Sequence, residues 1–160
     1  MIDKNIREKK HRLPLERYKG QIRVTFTLCI KGRKVVFTNK QIMNEFIKIL
    51  KKADEKHFCR NWAYVFMPDH LHLVAEGLSD QADAWKMINL FKQKTGFWLA
   101  KNKPDIKWQK DFFDHIHREE DDLKKHIAYI LKNPLRKGLV CDWKDYPFKG
   151  SLDFSLEDIL

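Results

Sequence analysis

The chain's 160 residues suit one domain with a sizeable core, and no apolar run approaches the ~18 residues of a membrane-spanning helix. Thirty-two Lys and Arg against 22 Asp and Glu leave a net charge of +10, so a polyanionic partner is expected; nucleic acid is favoured over a membrane surface because no long basic helix has a clean apolar face. Cys29, Cys59 and Cys141 are odd in number and far apart, and the polar N-terminus lacks the apolar core of a signal peptide, so reduced thiols in the cytoplasm are expected.

In chain order, residues 1–19 are basic and weakly periodic and read as an arm. Ile22, Val24, Phe26, Leu28 and Ile30 alternate with period two, which predicts a strand over 21–30 with one face buried. A turn at Lys31-Gly32-Arg33 leads to a short return strand over 35–37. Thr38 with Gln41 fits a helix capping box, and Ile42, Met43, Phe46, Ile47, Ile49, Leu50 and Ala53 form the apolar face of the helix that follows. Residues 58–67 and 70–75 predict two strands joined tightly at Pro68-Asp69.

Ser79-Asp80 signals a helix reaching about Lys101, with Trp85, Ile88, Phe91, Trp98 and Leu99 inward and Lys86, Lys92, Lys94 and Lys101 outward. Gly96 weakens its middle and Pro104 ends it. Residues 107–117 look extended, and the acidic run 119–122 suits the positive end of a last helix. That helix runs to about Asn133, where Pro134 disfavours α conformation in the residue before it. The tail after Val140 is aromatic and irregular, and the chain has no repeat. The expected fold class is therefore α+β, an antiparallel sheet with helices packed on it. A basic arm (1–19), one domain (20–140) and a tail packed on that domain (141–160) make up the expected organisation.

The most informative segment is Met67-Pro68-Asp69-His70-Leu71-His72-Leu73-Val74. Residues two apart on a strand project together, so His70 and His72 aim two imidazoles from one face while Leu71 and Leu73 bury the other. Two convergent imidazoles are half of a metal site; a pair of surface histidines is the plainer alternative. On the last helix, with Tyr129 set at zero, Asn133 falls near ~40° and His126 near ~60°, while Leu123, Ile127, Ile130 and Leu131 occupy roughly 100° to 200°. Tyr129 and Asn133 thus share the border of the stripe that docks on the sheet.

The H-x-H segment, Trp108-Gln109 with Phe113-Asp114-His115, and the run from Tyr129 through Asn133-Pro134 to Val140 occur in the order seen in single-tyrosine HUH transposases. Over about 18–140 the chain resembles that family, with the REP-associated tyrosine transposases most similar. The resemblance implies a ferredoxin-like sheet whose central strand carries the histidines and faces a helix bearing a nucleophilic tyrosine. It implies His70 and His72 as metal ligands, Tyr129 as the nucleophile, and Asn133, four residues on, as the polar residue completing the metal site. His115, His117 and His126 are further imidazoles near the motifs and take no role from it.

Such a site would cut single-stranded or hairpin DNA by tyrosine attack, keeping the bond as a 5′-phosphotyrosine. A phenol must lose its proton during attack, and a divalent ion helps by polarising the phosphate. Mixed nitrogen and oxygen ligands suit Mn²⁺, while Mg²⁺ gains from abundance; a closed zinc site lacks a cysteine cluster. Arg7, Arg12, Arg17 and Arg23, with Lys92, Lys94 and Lys101 on the long helix, are candidates for DNA contact, and interleaved Tyr18, Phe26, Trp85, Phe97, Trp98 and Trp108 for base stacking. Two rival functions stay open: a catalytically idle single-strand-binding regulator, and an H-x-H zinc hydrolase unrelated to DNA. A short tail without heptads favours a monomer over a homodimer.

Overall fold

In the computed structural model, which describes residues 14–160 except the side chain of Asp121, alternation along the strands builds the centre of the molecule. The strands β1 (Arg23–Cys29), β2 (Cys59–Met67), β3 (His70–Gly77), β4 (Phe113–His117) and β5 (Lys149–Gly150) form one antiparallel sheet in the order β4-β1-β3-β2-β5. Helices α1 (Lys40–Lys56) and α2 (Ala84–Asn102) cover one face, where Val24, Phe26, Leu28, Phe66, Leu71 and Leu73 are buried. The first four strands with these two helices make the ferredoxin-like arrangement, which is α+β.

The other face is covered by α3 (Glu120–Leu131), whose Leu123, Ile127 and Ile130 pack on Ala63, Val65, Met67 and Val74. Every residue of β3 is therefore buried, which sets aside the plainer alternative of a surface histidine pair. The imidazoles lie beneath a second layer because α3 and the tail close over this side. The tail is more ordered than its irregular pattern implies. It contributes edge strand β5, docks Tyr146 with its hydroxyl on the Phe66 carbonyl, and buries Ile159 of the short helix α5 (Leu156–Ile159).

Local boundaries depart from the sequence pattern where a competing hydrogen bond wins. Asn39, not Thr38, caps α1, its Oδ1 accepting from the Ile42 amide at 3.1 Å. Asp83 caps α2, four residues after the Ser79 signal, by accepting from the Lys86 amide at 3.0 Å. Residues 35–37 form no return strand; the Val36 and Phe37 amides donate instead to the Pro68 carbonyl. Of the extended stretch 107–117 only β4 is a strand, with an isolated bridge between Ile30 and Trp108. The last helix stops at Leu131, and Asn133 opens a separate short helix, α4 (Asn133–Arg136), where Pro134 in the first turn loses nothing by lacking an amide proton.

Most of the aromatics placed as stacking candidates are core. Tyr18, Phe26 and Trp108 are buried, and Trp108 donates from Nε1 to Thr95 Oγ1 at 2.8 Å. Trp85 and Trp98 pack against the same core, and Phe97 is left exposed. One glycine is required by close approach: a Cβ on Gly77 would meet the Gly20 carbonyl oxygen at 1.9 Å.

Candidate functional site

Period-two alternation puts His70 and His72 on the α3 side of β3, with ring centres 4.8 Å apart and planes nearly perpendicular. Each ring has one nitrogen held from behind. His70 Nδ1 lies 2.6 Å from Asp69 Oδ1, and Arg33 donates to the other oxygen of that carboxylate at 3.0 Å. His72 Nδ1 lies 3.0 Å from the hydroxyl of Thr27, its register partner on β1.

A carboxylate only accepts, so His70 carries its proton on Nδ1 and leaves an Nε2 lone pair. That Nε2 is buried without a partner. His72 Nε2 stands 3.3 Å from Asn133 Nδ2, a donor toward which it turns its lone pair. Burial pushes the His72 imidazole well below its ordinary range, and the His70 imidazole also down against the opposing pull of Asp69. Both rings are thus neutral at physiological pH, the form in which imidazole binds metal. Burial resists ionisation of Asp69, but its bonds to His70 and Arg33 hold that carboxyl below the usual range.

The unpartnered Nε2 of His70, the matching lone pair of His72 and an adjacent amide fit a divalent ion with mixed nitrogen and oxygen donors. Asn133 reaches the site in spite of its short side chain, its Nδ2 standing 3.3 Å from His72 Nε2. Its Oδ1 receives Arg136 Nη2 at 3.4 Å, and turning the amide over would present that oxygen to the cleft. Tyr129, in the last turn of α3, is 50% exposed. The Arg136 guanidinium lies 3.8 Å from its ring centre and donates to its backbone carbonyl.

Beside the site, Thr25, Thr27, Phe113, Asp114, His115 and His126 line a cleft of about 300 Å³. Thr27, Asp69, Arg33 and Arg136 were not marked by sequence pattern. Asp69 is adjacent to His70 and Arg136 lies three residues after Asn133, both usable signals; Thr27 and Arg33 reach the site only through the fold.

The basic candidates do not gather in one place. Arg23 lies on the histidine-bearing face, paired with Glu76, and Arg17 lines a cavity with His115, His117 and Arg118. Lys92, Lys94 and Lys101 sit on α2, across the sheet from the histidines; Lys92 donates to the Lys110 carbonyl and Lys101 lies over the Phe97 ring. Arg7 and Arg12 lie outside the described residues. Among the described residues no helix is long and apolar enough to cross a membrane.

Comparison with known proteins places these residues in a family context. The family model for IS200-like transposases matches residues 18–133. An Escherichia coli REP-associated tyrosine transposase is 31% identical over 126 residues, covering 77% of this chain and 72% of the relative. A Haemophilus influenzae protein provisionally given the same name is 29% identical over 138 residues, covering 78% of this chain and 77% of its own. The solved structure of a REP-associated tyrosine transposase bound to a REP hairpin superposes with a TM-score of 0.72 at 23% identity, over 88% of this chain and 81% of that one, a likeness of fold.

Proposed function

Because the chain belongs to the IS200-like transposase family, beside the REP-associated tyrosine transposases, we propose that it cleaves and rejoins single-stranded DNA next to a hairpin through Tyr129. The observation that carries this reading is the pair of touching imidazoles whose Nδ1 atoms are held by Asp69 and Thr27, with His70 Nε2 left unpartnered and His72 Nε2 3.3 Å from Asn133. His70, His72 and Asn133 would hold a Mg²⁺ or Mn²⁺ ion, which polarises the scissile phosphate when bound.

Tyr129 supplies the nucleophile. Its phenol gives up a proton as the oxygen attacks phosphorus; the Oη–P bond forms, the P–O3′ bond breaks, and the departing 3′ oxygen takes a proton. The product is a 5′-phosphotyrosine and a free 3′ hydroxyl, and the reverse attack by a 3′ hydroxyl rejoins a strand with no nucleotide cofactor. Arg136 links the Tyr129 ring to Asn133 within the chain, a contact that suits a monomer acting in cis.

The test is incubation with a hairpin-tailed single strand and Mn²⁺. A covalent adduct that survives denaturation is expected, and Tyr129→Phe should abolish it while binding changes little. Tyr64 is no substitute, since it is buried against α1 and α2 on the opposite face. Undiminished adduct from the Phe variant would overturn the mechanism. DNA binding with no adduct from the wild type would instead favour the idle regulator.

A further inference from the structure

A second H-x-H, His115-Ile116-His117, lies on β4 and faces the same side of the sheet as His70 and His72. Helix α3 brings His126 against it. The ring centres stand 4.7 Å (His115–His117), 4.8 Å (His117–His126) and 5.9 Å (His115–His126) apart. Three imidazoles bound to one ion through nitrogen bonds of about 2 Å at near-tetrahedral angles place their ring centres about 5 Å apart. Two edges of the triangle already have that length, and the His115–His126 edge is longer.

The second observation is the state of the ring nitrogens. His117 is 6% exposed; its Nε2 meets Thr25 Oγ1 at 2.7 Å, while its Nδ1 is buried with no partner. His126 Nε2 is likewise buried with none. Unpartnered nitrogens on two touching rings are costly, and a shared ligand relieves both.

We propose that His115, His117 and His126 form a second metal site, for Zn²⁺ or another late first-row divalent ion, separate from the His70–His72 centre. An all-imidazole donor set prefers Zn²⁺, Co²⁺ or Ni²⁺ to the oxygen-seeking Mg²⁺ and Mn²⁺, so the two centres differ in selectivity. Burial, helped by the neighbouring imidazoles, pushes His117 and His126 down to about 4, which leaves both rings neutral near pH 7. Among the described residues no three donors are already arranged to hold an ion. Binding therefore requires the rings to turn about their Cβ–Cγ bonds, a soft motion. The cleft lined by Thr25, Thr27, His115 and His126 offers the approach. On the outer side Arg17 and Arg118 share a cavity with His115 and His117, and Asp122 there offsets their charge.

A bound ion would fasten α3, the helix that carries Tyr129, to edge strand β4. The assignment does not depend on the DNA chemistry, so its test is made without DNA. The full chain carrying His70→Ala and His72→Ala is titrated with Co²⁺ and followed by visible absorption, and its melting temperature is read with and without Zn²⁺. One Co²⁺ per chain and a Zn²⁺-dependent rise in melting temperature are expected. Adding His117→Gln or His126→Gln should weaken uptake by more than the roughly 10-fold that losing even an outer-shell partner costs.

No Co²⁺ uptake by the double-alanine protein would overturn the site. So would uptake undiminished by either Gln substitution, which would move the ion to other donors such as His11 or His57. If circular dichroism shows the double-alanine protein unfolded, the wild type decides the matter. Two Co²⁺ per chain falling to one in His126→Gln supports the site, and an unchanged count rejects it.

Discussion

Thr27 and His72 are register partners across β1 and β3, and the 3.0 Å contact between the Thr27 hydroxyl and His72 Nδ1 fixes which nitrogen of the imidazole enters the cleft. Removing that hydroxyl without changing side-chain shape should loosen the ring. Thr27→Val is expected to lower Mn²⁺ affinity at the His70–His72 centre by about 10- to 100-fold, with Thr27→Ser close to wild type. Isothermal titration on proteins with matching circular dichroism checks it.

On the proposed reading the imidazoles hold the ion and dispersed Lys and Arg hold the strand, so the two functions should separate. His70→Ala and His72→Ala should each depress Mn²⁺ binding and cleavage while most DNA affinity remains. Asn133→Ala should act in the same direction but less, because it supplies one neutral amide. Chelation of the metal should likewise stop cleavage and spare binding. Wild-type cleavage by both histidine variants at limiting metal would misplace the centre.

Arg136 touches both halves of the site, stacking on the Tyr129 ring and donating to Asn133 Oδ1. Arg136→Ala should slow single-turnover cleavage by about 2- to 5-fold, the range of one exposed cation–π contact. DNA affinity should fall less than the rate. An affinity loss that accounts for the whole effect would make Arg136 a strand contact instead.

A nucleophile on a sheet-packed helix must meet an exposed phosphate, so single-stranded or hairpin-tailed DNA should bind better than blunt duplex. Affinity for the single strand should drop by roughly 0.7 log units per log unit of salt for each phosphate neutralised. Filter binding at several salt concentrations measures the slope. Equal affinity for duplex and single strand at one salt concentration would contradict the preference.

Asp54 is buried at 4% exposure, both its oxygens lack partners, and burial with the nearby Asp153 and Glu55 pushes its carboxyl up to about 8. In the unfolded chain the same group ionises near pH ~4. Between those values the folded protein keeps a proton that the unfolded chain has lost, so stability falls as pH rises through that window. Asp54→Asn cannot ionise. It should raise stability by ~1–3 kcal/mol at pH 8 and by little at pH 4, read from paired thermal melts. An equal gain at both pH values would assign the effect to packing.

Much of the molecule was legible in the chain because it depends on local periodicity. Alternation from Ile22 to Ile30 and around His70 identified strands β1 and β3, and the i, i+4 pattern of Leu123, Ile127 and Leu131 identified the face of α3 that is buried. His70 and His72 stand out from their spacing as a candidate metal pair, and Tyr129 and Asn133 take their candidacy from the family resemblance. Caps were misplaced by one to four residues because Thr38, Asn39, Ser79 and Asp83 all have the chemistry to cap, and only the docked backbone selects among them.

Tertiary structure decided the rest. That β3 is covered on both faces follows from α3 and the tail closing over this side of the sheet, contacts between distant positions such as Val65 and Ile127 that no window of sequence contains. The orientation of the His72 ring depends on Thr27, 45 positions away, and on Asn133, 61 positions away. Whether a histidine lends its lone pair to a cleft is set by what holds its other nitrogen. The chain determines which imidazoles are present, and the fold determines which atoms of them are free to act.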